Sequence, residues 1–129
     1  MKSLLVRYLA VGVAGFIGAI ARVLVGTAFG RMNVRYSNFP IGTLVINVSG
    51  SLFLGWFLTY AGSRSLSDTM RLAIGAGFVG AYTTFSTYMF ETTRLAQDGA
   101  QRMAILNLVG SLVLGLLAVR LGMMLARWS

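Results

Sequence analysis

The chain has 129 residues, 57% of them hydrophobic and only 11% charged, with 16 glycines, 1 proline and neither cysteine nor histidine. Soluble domains carry about 25% charged residues, so this mixture points to closely packed membrane helices, and it excludes disulfides, thiol chemistry and the usual zinc ligands. The net charge of +8 comes from bases spread singly between apolar runs, a pattern that fits headgroup anchoring rather than nucleic-acid binding and biases any aqueous cavity towards anions.

Crossing a bilayer as a helix takes about 20 apolar residues, and the sequence predicts four such spans: an all-α membrane protein. The first lies near Tyr8–Phe29 and carries Gly15-Phe16-Ile17-Gly18-Ala19 followed by Arg22. Lys2 ahead of an apolar run ending in Ala19-Ile20-Ala21 also has the outline of a signal peptide. Cleavage there would leave three spans, so the run is taken as a span. Arg22 stands a turn or two from the membrane surface, where a charge either snorkels to headgroups or faces a water-filled vestibule.

The second span lies near Thr43–Tyr60. Thr43, Asn47, Ser51, Gly55 and Thr59 recur every fourth residue, which places a polar, small-residue stripe on one helix face. Small residues and hydroxyls of this kind commonly serve helix packing. Asn47 brings two donors and two acceptor lone pairs that need partners, and is a candidate to line a pore.

The third span, near Leu72–Phe90, reads differently. Gly75, Gly77 and Gly80 weaken a helix, and Thr83-Thr84-Phe85-Ser86-Thr87 follow at once. Hydroxyls can satisfy backbone groups freed by a break, and a broken helix at membrane depth is tolerated only where it is buried or lines a cavity. Freed carbonyls would suit a cation, while hydroxyl donors and ring edges would suit an anion. Phe85 and Tyr88 share a helical face, with Tyr82 a turn further back. The fourth span, near Met103–Leu125, repeats the stripe in shorter form as Asn107, Ser111 and Gly115.

Four spans put both termini on one side, with Lys2, Arg7, Arg64, Arg71, Arg120 and Arg127; the other side holds Arg31, Arg35, Arg94 and Arg102. Six against four is a weak bias for the positive-inside rule. It is equally compatible with a single orientation and with insertion both ways, which would allow an antiparallel homodimer. Internal similarity adds a second theme. NVSGSLFLG at 47–55 matches NLVGSLVLG at 107–115 in six of nine positions, and GFIGA at 15–19 mirrors GFVGA at 77–81. The chain therefore reads as one transmembrane domain, 1–129, built of two tandem two-helix hairpins at about 1–62 and 63–129. Only the second hairpin carries the hydroxyl cluster, so that cluster is not general packing grammar.

No acidic residue lies deep in any span, and no histidine, cysteine or paired carboxylate stands near a nucleophile. This argues against proton-coupled export and against catalysis, and for a conduit. A small multidrug-type exporter, also four short spans in an antiparallel dimer, would need a mid-span carboxylate. In a non-transporting packing subunit the polar stripes would be helix glue only.

Gly15-x-x-Gly18-x-x-x-Arg22, Gly42-Thr43-Leu44-Val45-x-Asn47, Gly80-x-x-Thr83-Thr84-Phe85-Ser86-Thr87 with Glu91-Thr92, and Gly110-Ser111-Leu112 together resemble the CrcB/Fluc fluoride channels over essentially the whole chain. The resemblance implies a dual-topology antiparallel homodimer in the bacterial cytoplasmic membrane, its third helix broken mid-membrane, with two pores that pass fluoride and reject chloride. It also implies a structural sodium ion at the dimer centre, held by the backbone carbonyls of Gly80 and Thr83. By position, Asn47, Thr84, Phe85, Ser86, Thr87, Tyr88 and Ser111 fall to the pore and Arg22 to its vestibule. The chain departs from the family in three places: Tyr88 stands for a second phenylalanine, Met103 for an aromatic hydroxyl, and Asn107 for a small hydroxyl residue. The implied role is passive release of fluoride that entered the cell as neutral hydrogen fluoride.

Overall fold

The computed structural model describes residues 2–36 and 38–129, and all regular structure among them is helical. The side chains of Lys2 and Arg35, both counted in the charge balance, lie outside the described residues. Helix α1 (Lys2–Tyr36) runs well past the expected span at both ends and takes in most of the first link. α2 (Ile41–Ser63) follows Pro40, and α6 (Gln101–Ala126) closes the chain. These three helices are long and apolar enough to cross a membrane. Exposed leucine, valine, isoleucine and phenylalanine cover the outer faces of α1 and α6, as lipid contact requires, and the protein is a multi-pass membrane protein.

The third expected span has a different build. α3 (Asp68–Leu72) is capped by Ser67, whose hydroxyl accepts from Met70 N, with Asp68 in its first turn and Arg71 in its last, each charge suited to its end of the helix dipole. Ala73–Val79 then widens into a π-helical turn, in which Gly80 N–H reaches Gly75 O; turns of this kind gather at functional sites. α4 (Gly80–Tyr82) ends at Thr83 and Thr84, both extended (ψ 159° and 119°), and α5 (Phe85–Gln97) begins anew. Gly99, at φ +79°, supplies the left-handed turn into α6.

Repeat-related spans pack side by side and point the same way. Gly15 of α1 lies against Gly77, its counterpart in the GFxGA motif, and against Ala81, and Arg7 lies 3.9 Å from Asp68. A Cβ at Gly18 would overlap the carbonyl oxygen of Phe78, so glycine is what lets these two backbones touch. In the same manner α2 and α6 run parallel, with Ser51 against Gly115 and, a turn on, Gly55 against Val119. The core between the helices is built mainly of small or branched residues: Ile46, Phe57, Ala61, Val79, Ala104 and Ala118 are buried. Arg71 donates to Ala61 O at the end of α2 and ties α3 back to it.

Candidate functional site

Thr83 and Thr84 leave the helix, and their backbone groups need new partners. Asn47 supplies them from α2: its Nδ2 donates to Thr84 O at 2.9 Å and its Oδ1 accepts from Thr84 N at 2.8 Å. Thr84 then starts α5 with its own side chain, Oγ1 accepting from Thr87 N at 3.2 Å and donating to Thr87 Oγ1 at 3.0 Å. Ser86 Oγ stands 3.4 Å from the same oxygen. Three hydroxyls thus gather at the N-terminus of α5, on the positive end of its dipole.

Two cavities flank this break. The larger, about 430 Å³, is bounded by Asn47 and Ser51 from α2, Thr83, Thr84, Phe85 and Tyr88 around the break, and Ser111 with Gly115 from α6. No carboxylate among the described residues lines it. The smaller, about 300 Å³, is bounded by Arg22 and Gly26 of α1, Thr43 of α2, and Thr84, Thr87 and Glu91. Thr84 lines both. Arg22 and Glu91 therefore face one vestibule-like space without forming an ion pair among the described residues. Thr43 lines the same space as Glu91, whose carboxylate Oε2 is buried with no hydrogen-bond partner among the described residues.

Of the residues singled out by sequence, Asn47, Thr83, Thr84, Phe85, Tyr88 and Ser111 meet at the larger cavity, and Arg22, Thr84 and Thr87 at the smaller. Gly80 and Ser86 line neither; both are exposed. The aromatic stripe is shorter than its spacing suggests. Phe85 and Tyr88 meet edge to face at 6.1 Å, but the break turns Tyr82 away to stack on Phe78 and bond Ser49 Oγ at 2.9 Å. The Tyr88 hydroxyl is also engaged, donating to Leu108 O on α6.

The two stripe asparagines take different work. Asn107 is fully buried and lines neither cavity. Its Nδ2 donates to Thr92 Oγ1 at 2.8 Å, Thr92 Oγ1 donates to Tyr88 O at 2.8 Å, and Asn107 Oδ1 accepts from Ser111 Oγ at 3.3 Å. The role of Thr92 was not legible from sequence, although the N-x-x-x-S spacing shared by Asn47/Ser51 and Asn107/Ser111 marked where to look.

The chain matches the family described as CrcB-like protein, Camphor Resistance (CrcB), over residues 9–123. It is 48% identical over 119 residues to the fluoride-specific ion channel FluC of Acidobacterium capsulatum, covering 91% of this chain and 93% of the relative. It is 41% identical over 125 residues to FluC of Idiomarina loihiensis, covering 97% and 95%. With FluC 2 of Mycobacterium tuberculosis the identity is 44% over 120 residues, covering 93% and 90%. Matches of this extent mean that the chain belongs to the CrcB-like protein family.

Proposed function

We propose that this protein is a passive fluoride-selective channel that releases cytoplasmic fluoride, a conduit and not an enzyme. One observation carries the reading: the interrupted third span sets Asn47, Thr84, Phe85, Tyr88 and Ser111 around one cavity that has donors and ring edges but no carboxylate. Fluoride is small and strongly hydrated, so a pathway must replace its water with several close donors. The second N–H of the Asn47 amide, the hydroxyls at the start of α5 and the edges of Phe85 and Tyr88 do this without a fixed positive charge that would trap the ion. Arg22, in the smaller cavity beside Thr84 and Thr87, attracts anions towards the break. The names of the relatives support the choice of ion.

The assembly is an antiparallel homodimer, inserted both ways in the bacterial cytoplasmic membrane, with two pores and the break of each third helix at mid-membrane. Each chain is one domain of two duplicated hairpins. The residues at the break fit a sodium ion at the dimer centre. Helical geometry would have Thr84 N donate to Gly80 O and Thr87 N to Thr83 O, but those donors go to Asn47 Oδ1 and Thr84 Oγ1 instead. Carbonyls released in this way suit a cation with oxygen ligands. Such an ion would supply fixed positive charge at the centre and hold two copies of the break together.

The test is efflux from liposomes holding the purified protein, read by a fluoride electrode and then a chloride electrode. Rapid passive fluoride release without chloride release is expected. Folded protein that releases neither ion would end the reading. Release that requires a proton gradient would favour the exporter class instead.

A further inference from the structure

Ser51 and Ser111 occupy equivalent places in the two NxxGS repeats, and both line the larger cavity. Their hydroxyls are held differently. Ser51 Oγ donates to the backbone oxygen of Asn47 at 2.7 Å, the usual bond of a helical serine to the residue four back. Ser111 Oγ leaves its backbone and donates to the side-chain oxygen of Asn107 at 3.3 Å, near the outer limit of a hydrogen bond.

The direction of that bond is forced from its far end. Tyr88 O is a carbonyl and can only accept, so Thr92 Oγ1 spends its one proton there. The Thr92 oxygen must then accept, which turns the Asn107 amide nitrogen towards it. Asn107 Oδ1 therefore faces Ser111 and takes the serine proton. Four groups from α5 and α6 form a chain of fixed polarity that passes through the fully buried Asn107 and ends on the cavity-lining hydroxyl of Ser111.

We propose that Asn107 is a positioning residue that keeps the Ser111 hydroxyl poised to bind the conducted anion. It holds that proton off the helix backbone, in a long bond that an anion in the cavity can replace. Without Asn107, Ser111 falls back onto the backbone oxygen of residue 107 in a short bond like that of Ser51, and its proton is harder to recruit. Asn107 acts through Ser111 and touches no ion itself. The inference rests on the anion-channel reading.

The test is fluoride efflux from liposomes as a function of fluoride concentration, for the parent, Asn107→Leu, Ser111→Ala and the double variant. Asn107→Leu should raise the half-saturating fluoride concentration roughly five-fold, the factor one hydrogen bond of ordinary net worth supplies, and leave the maximal rate little changed. In the Ser111→Ala background the same substitution should shift nothing further, because residues that act through one another are not additive. Equal shifts in both backgrounds, or none in the parent background, would overturn the proposal. If Asn107→Leu does not fold, Thr92→Val replaces it. That change removes the group that orients the Asn107 amide, and it too must shift half-saturation in a way that disappears with Ser111→Ala. A parent that passes no fluoride would defeat the channel reading itself; a conducting parent with uncoupled variants defeats only the role of Asn107.

Discussion

Asn47 and Thr84 are paired in both directions, side-chain amide against backbone amide, at 2.9 and 2.8 Å. The pair replaces the helical bonds that an extended residue cannot make, and so it satisfies the backbone between α4 and α5, where an unpaired buried polar group costs several kcal/mol. It also fixes the first turn of α5 relative to α2, and with it both cavities.

Asn47→Asp keeps the acceptor and loses the donor, leaving a carboxylate oxygen against Thr84 O and a negative charge on the anion path. We expect folding stability to fall by about 1–3 kcal/mol, the cost of orphaning one buried polar group. Fluoride efflux should fall by on the order of ten-fold or more, since each 1.4 kcal/mol added to a barrier is one decade. Thermal melting and liposome efflux check the two effects separately, and wild-type flux would remove Asn47 from the path.

The division between what was legible and what was not follows bond range. The three long apolar helices were legible because hydropathy acts along the chain. The weak point at Gly75–Gly80 and the hydroxyl start of α5 were visible for the same reason: glycine spacing and the Thr84-to-Thr87 cap are local. The π-helical turn at Ala73–Val79 was not, because glycine permits it while the close fit against Val11 and Ala14 of α1 accompanies it. Nor was the loss of Tyr82 from the aromatic stripe, since a three-residue spacing describes a face only while the helix is unbroken. Asn47–Thr84 and Thr92–Asn107 join residues 37 and 15 apart, and nothing in a single sequence announces which pair will meet.

Phe85 is 74% exposed in the single chain and touches Tyr88 edge to face. Its ring therefore contributes little to folding; an aromatic pair of this kind is worth about 0.5–1.5 kcal/mol. Phe85→Ile should leave the melting temperature close to the parent's and cut fluoride efflux strongly, because an aliphatic side chain has no positive ring edge. Retained flux would show that Phe85 is not part of the path.

Tyr88 raises the opposite expectation. Its hydroxyl is committed to Leu108 O, so Tyr88→Phe removes a tie between α5 and α6 and not an anion donor. Stability should drop by about 0.5–1.5 kcal/mol, the net worth of one hydrogen bond, while fluoride efflux and rejection of chloride stay near parental values. A large loss of flux at unchanged stability would mean that the hydroxyl turns to the ion in the conducting state.

Gly18 and Gly12 make a controlled pair on α1. A Cβ at Gly18 would strike the Phe78 carbonyl, whereas nothing lies within 4 Å of one at Gly12. Gly18→Ala should destabilise by about 1–3 kcal/mol as the helices are forced apart. Gly12→Ala should be neutral or stabilising by up to about 1 kcal/mol, because alanine is the better helix former. Denaturation of the purified protein separates them, and equal effects would contradict the close α1 contact.

The cation proposed at the break is testable without mutation, which matters because its ligands are backbone carbonyls that no substitution deletes. The Thr83 hydroxyl is already committed, donating to Val79 O at 2.9 Å, so the side chain is not a competing ligand in this arrangement. Gly80 is exposed on the single chain, and beyond its own turn of helix the nearest described atom to a Cβ placed there is Gly75 O at 3.8 Å. That leaves its surface open to a second copy. An ion that binds only the folded assembly stabilises it by mass action, by about 2.7 kcal/mol at one hundred times its dissociation constant. Exchanging sodium for the bulky N-methyl-D-glucamine cation at constant ionic strength should therefore lower the melting temperature and slow fluoride efflux together, and restoring sodium should reverse both. Thr83→Val, which keeps the carbonyl, should preserve the sodium dependence even as it loses the bond to Val79. If melting and efflux ignore the exchange, the carbonyls of Gly80 and Thr83 hold no sodium that matters to the fold, and the break is kept by Asn47 and Thr84 alone.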